Sequence, residues 1–82
     1  MSNDNNTKST AKEVTNLADA IFNKIHAIGT QTREGNLTLL GELGGLLERA
    51  ERTPNSRSRE ANDLLAKAVR RAKETTRHAM SQ

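Results

Sequence analysis

Residues 10–28 read TAKEVTNLADAIFNKIHAI, and this stretch decides the fold. Its apolar residues recur at steps of three and four, which places them on one side of a helix. They are Val14, Leu17, Ala18, Ile21, Phe22, Ile25 and Ile28. Thr10 and Glu13 have the spacing of a capping box, and Gly29 is suited to a C-terminal cap. The sequence therefore predicts a helix over residues 10–28.

A second apolar stripe lies in residues 37–52, where leucines repeat at helical spacing. Its members are Leu39, Leu40, Leu43, Leu46, Leu47 and Ala50. Asn36 is suited to the N-cap position, so the predicted helix covers residues 37–52. The preceding residues 29–36, GTQTREGN, contain two glycines and no large apolar residue. This composition favours a loop, and a kinked continuation of the first helix is the alternative.

Three glycines, Gly41, Gly44 and Gly45, interrupt the leucine-rich segment. Each costs about 1 kcal/mol relative to alanine in a helix interior. Gly41 and Gly44 lie beside the leucines on a helical wheel, where they could let a second helix backbone approach closely. The other interpretation is a soft or bent helix, and the sequence favours neither.

The third predicted helix covers residues 58–80. Its apolar positions are Ala61, Leu64, Leu65, Ala68, Val69, Ala72, Ala79 and Met80. Alanines occupy the middle of this face and permit a short distance between helix axes. Thr53 and Pro54 suit a helix start, with Ser56 and Ser58 as competing caps.

These patterns predict an all-α fold: two to three amphipathic helices in a bundle based on a helical hairpin. The last two helices would form the hairpin, and the first would pack on it. Residues 1–9 are polar and are predicted to be a disordered tail, and residues 10–82 a single helical domain. The 82 residues are 33% hydrophobic and include no cysteine, so a small core without disulfides is expected to be completed by dimerisation.

Composition also limits the function classes. No apolar run is long enough to span a membrane and no secretory signal begins the chain, so a cytoplasmic protein without membrane contact is expected. No nucleophile stands in a pattern with a base, and no phosphate-binding loop is present. The sequence thus predicts no enzyme activity, no catalytic residue, no cofactor and no small-molecule substrate.

The sequence places neither of the two histidines in a metal-binding pattern. Glu74 and His78 share a helix face at i,i+4, but two ligands fall short of the three or four of a zinc site. An intrahelical ion pair is the preferred interpretation, and no metal site is predicted. His26 is expected to be a partly buried structural histidine beside Phe22.

Charge is distributed unevenly along the chain. Residues 53–82 carry seven basic and three acidic side chains, whereas residues 1–52 carry six basic and seven acidic ones. A row of arginines can neutralise phosphates and release counterions. The candidate contacts are Arg57, Arg59, Lys67, Arg70, Arg71, Lys73, Arg77 and His78. A solvated face is the competing interpretation, with Asp63–Lys67 and Glu74–His78 as i,i+4 pairs.

Two functions follow as hypotheses. The first is a non-catalytic regulator or accessory factor of a nucleic-acid transaction, which contacts nucleic acid or a complex that handles it through the basic C-terminal helix. The alternative is a protein–protein adaptor or stoichiometric inhibitor of the mobile-element type, which docks through the leucine-rich helix. Its candidate interface residues are Leu39, Leu43, Leu46, Leu47, Ala61, Ala68 and Ala72. An exposed leucine stripe would favour the protein partner, and exposed arginines would favour phosphate.

Overall fold

The computed structural model describes residues 9–30 and 33–80, which form three α-helices and no strand. Helix α1 is Ala11–Ile28, α2 is Arg33–Arg52 and α3 is Arg59–Met80. The described chain is an elongated bundle measuring 49 × 19 × 17 Å. The prediction of an all-α fold is confirmed. The predicted tail lies outside the described residues except for Ser9.

The start of α1 has the predicted capping box. The Glu13 amide donates to Thr10 Oγ1 at 3.0 Å, and the Thr10 amide donates to Glu13 Oε1 at 2.9 Å. Two amides that a helix start would otherwise leave unpaired are thereby satisfied. Gly29 caps the other end, where its amide donates to the His26 carbonyl at 3.1 Å. Both predicted ends of α1 are confirmed.

Helix α2 begins four residues earlier than the sequence predicted. Asn36 is not an N-cap but lies within the helix, so the predicted loop over residues 29–36 is wrong for residues 33–36. Asn36 lies on the same side of α2 as Leu40 and Leu43, and its buried Oδ1 accepts no hydrogen bond within residues 9–30 and 33–80. Packing of the leucines against the other helices extends α2 through residues of low helix propensity.

Helix α3 begins at Arg59, so Pro54 does not occupy the first helical position. Of the competing caps, Ser58 takes the position, because its Oγ accepts the Ala61 amide at 3.2 Å. Ser56 has a different role and is only 4% exposed. The Asn62 amide group donates to the Ser56 carbonyl and its Oδ1 accepts the Ser56 amide, at 2.9 and 2.8 Å. This clamp holds the linker against the first turn of α3.

Helix α1 is the central element of the bundle. It packs most extensively against α3 and less against α2, while α2 and α3 share the smallest contact. The predicted hairpin of the last two helices is therefore not the main packing unit. The physical reason is that the largest apolar side chains of α1 meet the alanine midline of α3. The buried core consists of Leu17, Ala18, Ile21, Ile28, Leu43, Ala68 and Ala72.

The three glycines of α2 contact no other helix of this chain. A Cβ added at Gly41, Gly44 or Gly45 would have no neighbour within 4 Å among the described residues. Close helix approach, one of the two interpretations of Gly41 and Gly44, therefore does not occur among the described residues. Among the described residues no helix is both long and apolar enough to cross a membrane.

Two leucines of α2 provide a matched test of the core. We expect Leu43→Ala to lower the free energy of unfolding by about 3 kcal/mol, because Leu43 is fully buried. Leu37→Ala should change it by less than about 0.5 kcal/mol, since Leu37 is 67% exposed. Urea denaturation of both variants measures the difference. Equal losses of stability in the two variants would contradict the placement of Leu43 in the core and of Leu37 at the surface.

Gly44→Ala tests the open side of α2. We expect the free energy of unfolding to rise by about 1 kcal/mol, because alanine is the better helix former and its methyl group meets no described atom beyond its own stretch of helix. Thermal or urea unfolding of the variant measures the gain. A loss of stability would contradict the open space found beside Gly44.

The capping box sets the ionisation of Glu13. Accepting the Thr10 backbone N–H, and then the Thr10 side-chain hydrogen bond, lowers the pKa of Glu13 below its ordinary 4.5. Since the folded pKa is lowered, the stabilisation from ionised Glu13 is complete above its unfolded pKa. It disappears as the pH falls through the folded pKa.

Thr10→Ala should raise the Glu13 pKa toward the ordinary value and lower stability at neutral pH by about 1 kcal/mol. An NMR titration of the Glu13 carboxyl group and urea denaturation measure the two effects. Thr38→Ala, at an exposed position within α2, is the control and should leave the Glu13 pKa unchanged. An equal Glu13 pKa in the wild type and in Thr10→Ala would contradict the role of the cap.

Candidate nucleic-acid interface

Three basic residues of α3 form a row along its outer side. Arg70, Lys73 and Arg77 follow one another at steps of three and four, so they project from one face of the helix. This face is opposite the buried Ala68 and Ala72. All three residues of the row are exposed. At 1.5 Å per residue, the row is about 10 Å long. We call these three residues the basic row.

The other predicted contact residues surround the basic row or precede it. Arg59, Lys67 and Arg71 are exposed on α3. His78 is exposed in the last turn of the helix, and Arg57 is exposed in the linker before it. The structure therefore places all eight predicted contact residues at the surface.

In the described part of the chain, the basic row and its neighbours Arg59, Lys67 and Arg71 have no acidic partner. Within residues 9–30 and 33–80, the ion pairs Lys24–Glu42 and Arg52–Glu48 lie outside α3. No carboxylate there pairs with Arg70, Lys73 or Arg77, nor with Arg59, Lys67 or Arg71. The predicted Asp63–Lys67 pair is not formed. The guanidinium and ammonium donors of the basic row are thus directed into solvent, where an anion can reach them.

Acidic residues lie on one side of the basic row. Glu74 is four residues after Arg70 and three before Arg77, so it borders the row on the same side as Asp63. Lys73 lies on the other side, with Ala66 as its exposed neighbour one helical repeat earlier. The row is therefore most open to an anion that approaches over Lys73.

The predicted protein interface is part of the core of the chain itself. Leu43, Ala68 and Ala72 are fully buried, and Ala61 is nearly so. Leu39, Leu46 and Leu47 are half-buried against the same core. Docking through the whole leucine stripe would require the helices to separate. The large apolar side chain that the described surface does expose is Leu37.

The structure corrects the interpretation of His26 and gives no support to a metal centre. His26 is exposed, and not partly buried beside Phe22, because it lies beyond the edge of the face that α1 packs into the core. In the described part of the chain, no three His, Asp or Glu residues lie close enough together to hold a metal ion.

Sequence reasoning missed a groove between α1 and α2. One part, of about 520 Å³, is lined by Ala20, Asn23, Lys24, Ala27, Glu42 and Leu46. The adjoining part, of about 360 Å³, shares Ala20 and Leu46 and extends to Glu13, Arg49 and Thr53. The Lys24 Nζ to Glu42 Oε1 distance across it is 2.7 Å. No local pattern reveals this groove, because it depends on how two helices are aligned.

Comparisons with known proteins add no functional assignment. The chain matches no protein-family model, no curated protein and no solved structure at significant similarity. The physical properties of its own surfaces are therefore the basis for a functional proposal.

Proposed function

We propose that this protein is a small non-catalytic helical binding protein, a regulator or accessory factor of a nucleic-acid transaction. It contacts nucleic acid, or a complex that handles nucleic acid, through the outer face of α3. The basic row supplies the central contacts, and Arg59, Lys67 and Arg71 extend the positive surface around it.

One observation carries this proposal: the arginines of α3 are exposed while the leucines of α2 are largely used by the core. The basic row has no ion-pair partner within the described residues, whereas Leu43 is completely buried. Exposed cations without acidic partners can exchange their counterions for phosphates, which makes association favourable at low salt. The available surface thus suits phosphate better than an apolar partner.

The chemistry of α3 favours recognition of the nucleic-acid backbone over recognition of bases. Arginine can bind two phosphate oxygens at once through its planar fork of donors. Phe22 is the single aromatic residue of the chain and packs against the core, so no aromatic platform is present on which bases could stack. Binding should therefore depend strongly on salt and weakly on sequence.

A protein–protein adaptor or stoichiometric inhibitor is the second candidate. The observation in its favour is Leu37, a large apolar residue that is 67% exposed on α2. The leucines of the stripe itself are at least half-buried, so they offer a partner little apolar surface without a rearrangement of the bundle.

Neutralising the basic row should weaken binding to a short DNA duplex. For Arg70→Gln with Arg77→Gln, we expect lower affinity at low salt, because two phosphate contacts are lost. The slope of log affinity against log salt should become shallower by about 2. Fluorescence anisotropy with a labelled duplex, repeated at several salt concentrations, measures both effects.

The matched control removes the same charge from other helices. Lys12→Gln with Arg52→Gln changes two exposed cations of α1 and α2 and should leave the slope almost unchanged. The proposal fails if the wild type does not bind the duplex at low salt, or if its affinity does not depend on the salt concentration. It also fails if both double variants lose equal affinity, since this would indicate a response to net charge and not to the basic row.

A further inference from the structure

The groove between α1 and α2 has an apolar floor, and the Lys24–Glu42 ion pair joins the two helices at one end of it. Ala20 and Ala27 form its α1 side, and Leu46 contributes from α2. All three residues are half-buried. Because the alanine side chains on this floor are small, another helix can pack at a short distance from the axis of α1. The groove is therefore shaped to receive a helical surface.

Between its charged residues, the rim of the groove also contains smaller ones. Asn16 and Asn23 line it from α1 and are exposed. On α2, Gly45 lies on the same side as Glu42 and Arg49, three residues after the first and four before the second. A Cβ at Gly45 would find open space within this chain. No bulky side chain at these positions prevents a second backbone from approaching.

Charged residues alternate in sign around the groove. At one end Glu13 of α1 is close enough to Arg49 of α2 for the Arg49 charge to help lower the Glu13 pKa. At the other end the signs are reversed, because α1 contributes Lys24 and α2 contributes Glu42. Glu13 and Lys24 are about 16 Å apart along α1, calculated from the rise of an α-helix.

We infer that the occupant of this groove is a second copy of the chain, and that the protein forms a symmetric dimer through its α1–α2 face. In one arrangement the two-fold axis runs parallel to the groove. Helix α1 of one copy then lies over α2 of the other, and each end of the groove faces the same end of the groove in the partner copy. Glu13 then faces Arg49, and Lys24 faces Glu42. In the other arrangement the axis runs across the groove. Helix α1 of one copy then lies antiparallel over α1 of the other, so Glu13 faces Lys24 and Arg49 faces Glu42.

In both arrangements each of the four charges meets its opposite in the other copy, so the Lys24–Glu42 pair of each chain becomes part of a larger network of alternating charges. An isologous interface must be complementary to itself, and this arrangement of charges satisfies the requirement without a separate partner. A surface with one sign of charge would repel its own copy. The pattern therefore favours self-association over docking of a strongly acidic or strongly basic partner.

The size of the face is consistent with a reversible dimer. A surface about 27 Å long and two helices wide, about 20 Å, offers on the order of 500 Å² on each copy. The total of roughly 1,000 Å² is below the roughly 1,200–2,000 Å² of stable interfaces and falls in the range of weak, transient ones. We therefore expect exchange between monomer and dimer in the micromolar range.

Sedimentation velocity of the full chain from about 1 µM to about 1 mM tests the inference, because this range includes the affinities expected for such an interface. The mass should rise from 9.0 kDa toward twice that value. Ala20→Arg should weaken the dimer by about 10-fold or more, because it places a charged, bulky side chain on the groove floor. Asn23→Arg should also weaken the dimer. Because Asn23 is exposed, this substitution does not disturb the core.

Ala66→Arg is the matched control, because it adds the same side chain to an exposed site on α3 that does not line the groove. It should dimerise like the wild type. A wild type that remains monomeric up to about 1 mM would overturn the inference and leave the groove to a different partner. Unchanged dimerisation of folded Asn23→Arg would also overturn it, since another surface would then hold the dimer. Thermal unfolding establishes that each variant is folded.

Discussion

The structure depends on the packing of large aliphatic side chains from α1 against small ones from α3. Ile21 is completely buried, and Ala68 and Ala72 of α3 are buried in the same cluster. Alanines let the helix axes approach, and the isoleucine and leucine side chains of α1 supply the apolar area that α3 lacks. Helix α2 completes the core mainly by inserting Leu43. The first helix of the sequence is thus the centre of the bundle, and the other two pack around it.

This arrangement determines which surfaces remain available to a partner. Once Leu43 is buried between helices, α2 shows the solvent mainly glycines, charged residues and Leu37. Since α3 buries its alanine face, the basic row must point outward. One side of α3 therefore stabilises the fold while the opposite side carries the exposed positive charge, so mutations on the outer side can change the surface charge without loss of the core.

Much of this fold could be predicted from local sequence, and the failures have specific physical causes. Thr10 with Glu13 marked the start of α1 because a capping box involves neighbouring residues. The start of α2 was missed because tertiary packing outweighed the low helix propensity around Asn36. The hydrogen bonds between Asn62 and Ser56 and the groove between α1 and α2 depend on contacts between separate elements. The periodicity of apolar residues does not encode such contacts. The exposure of the basic row could be predicted from the helical wheel, but its lack of ion pairs could not, because that depends on side-chain conformation.

The groove and the basic row are formed by different helices, and this separation determines which surfaces a dimer would leave accessible. The residues that line the groove come from α1, α2 and their ends, and none comes from α3. The basic row of each copy would therefore stay outside a dimer interface formed through the groove. Because the two surfaces share no residue, a second copy in the groove would not displace a phosphate from α3.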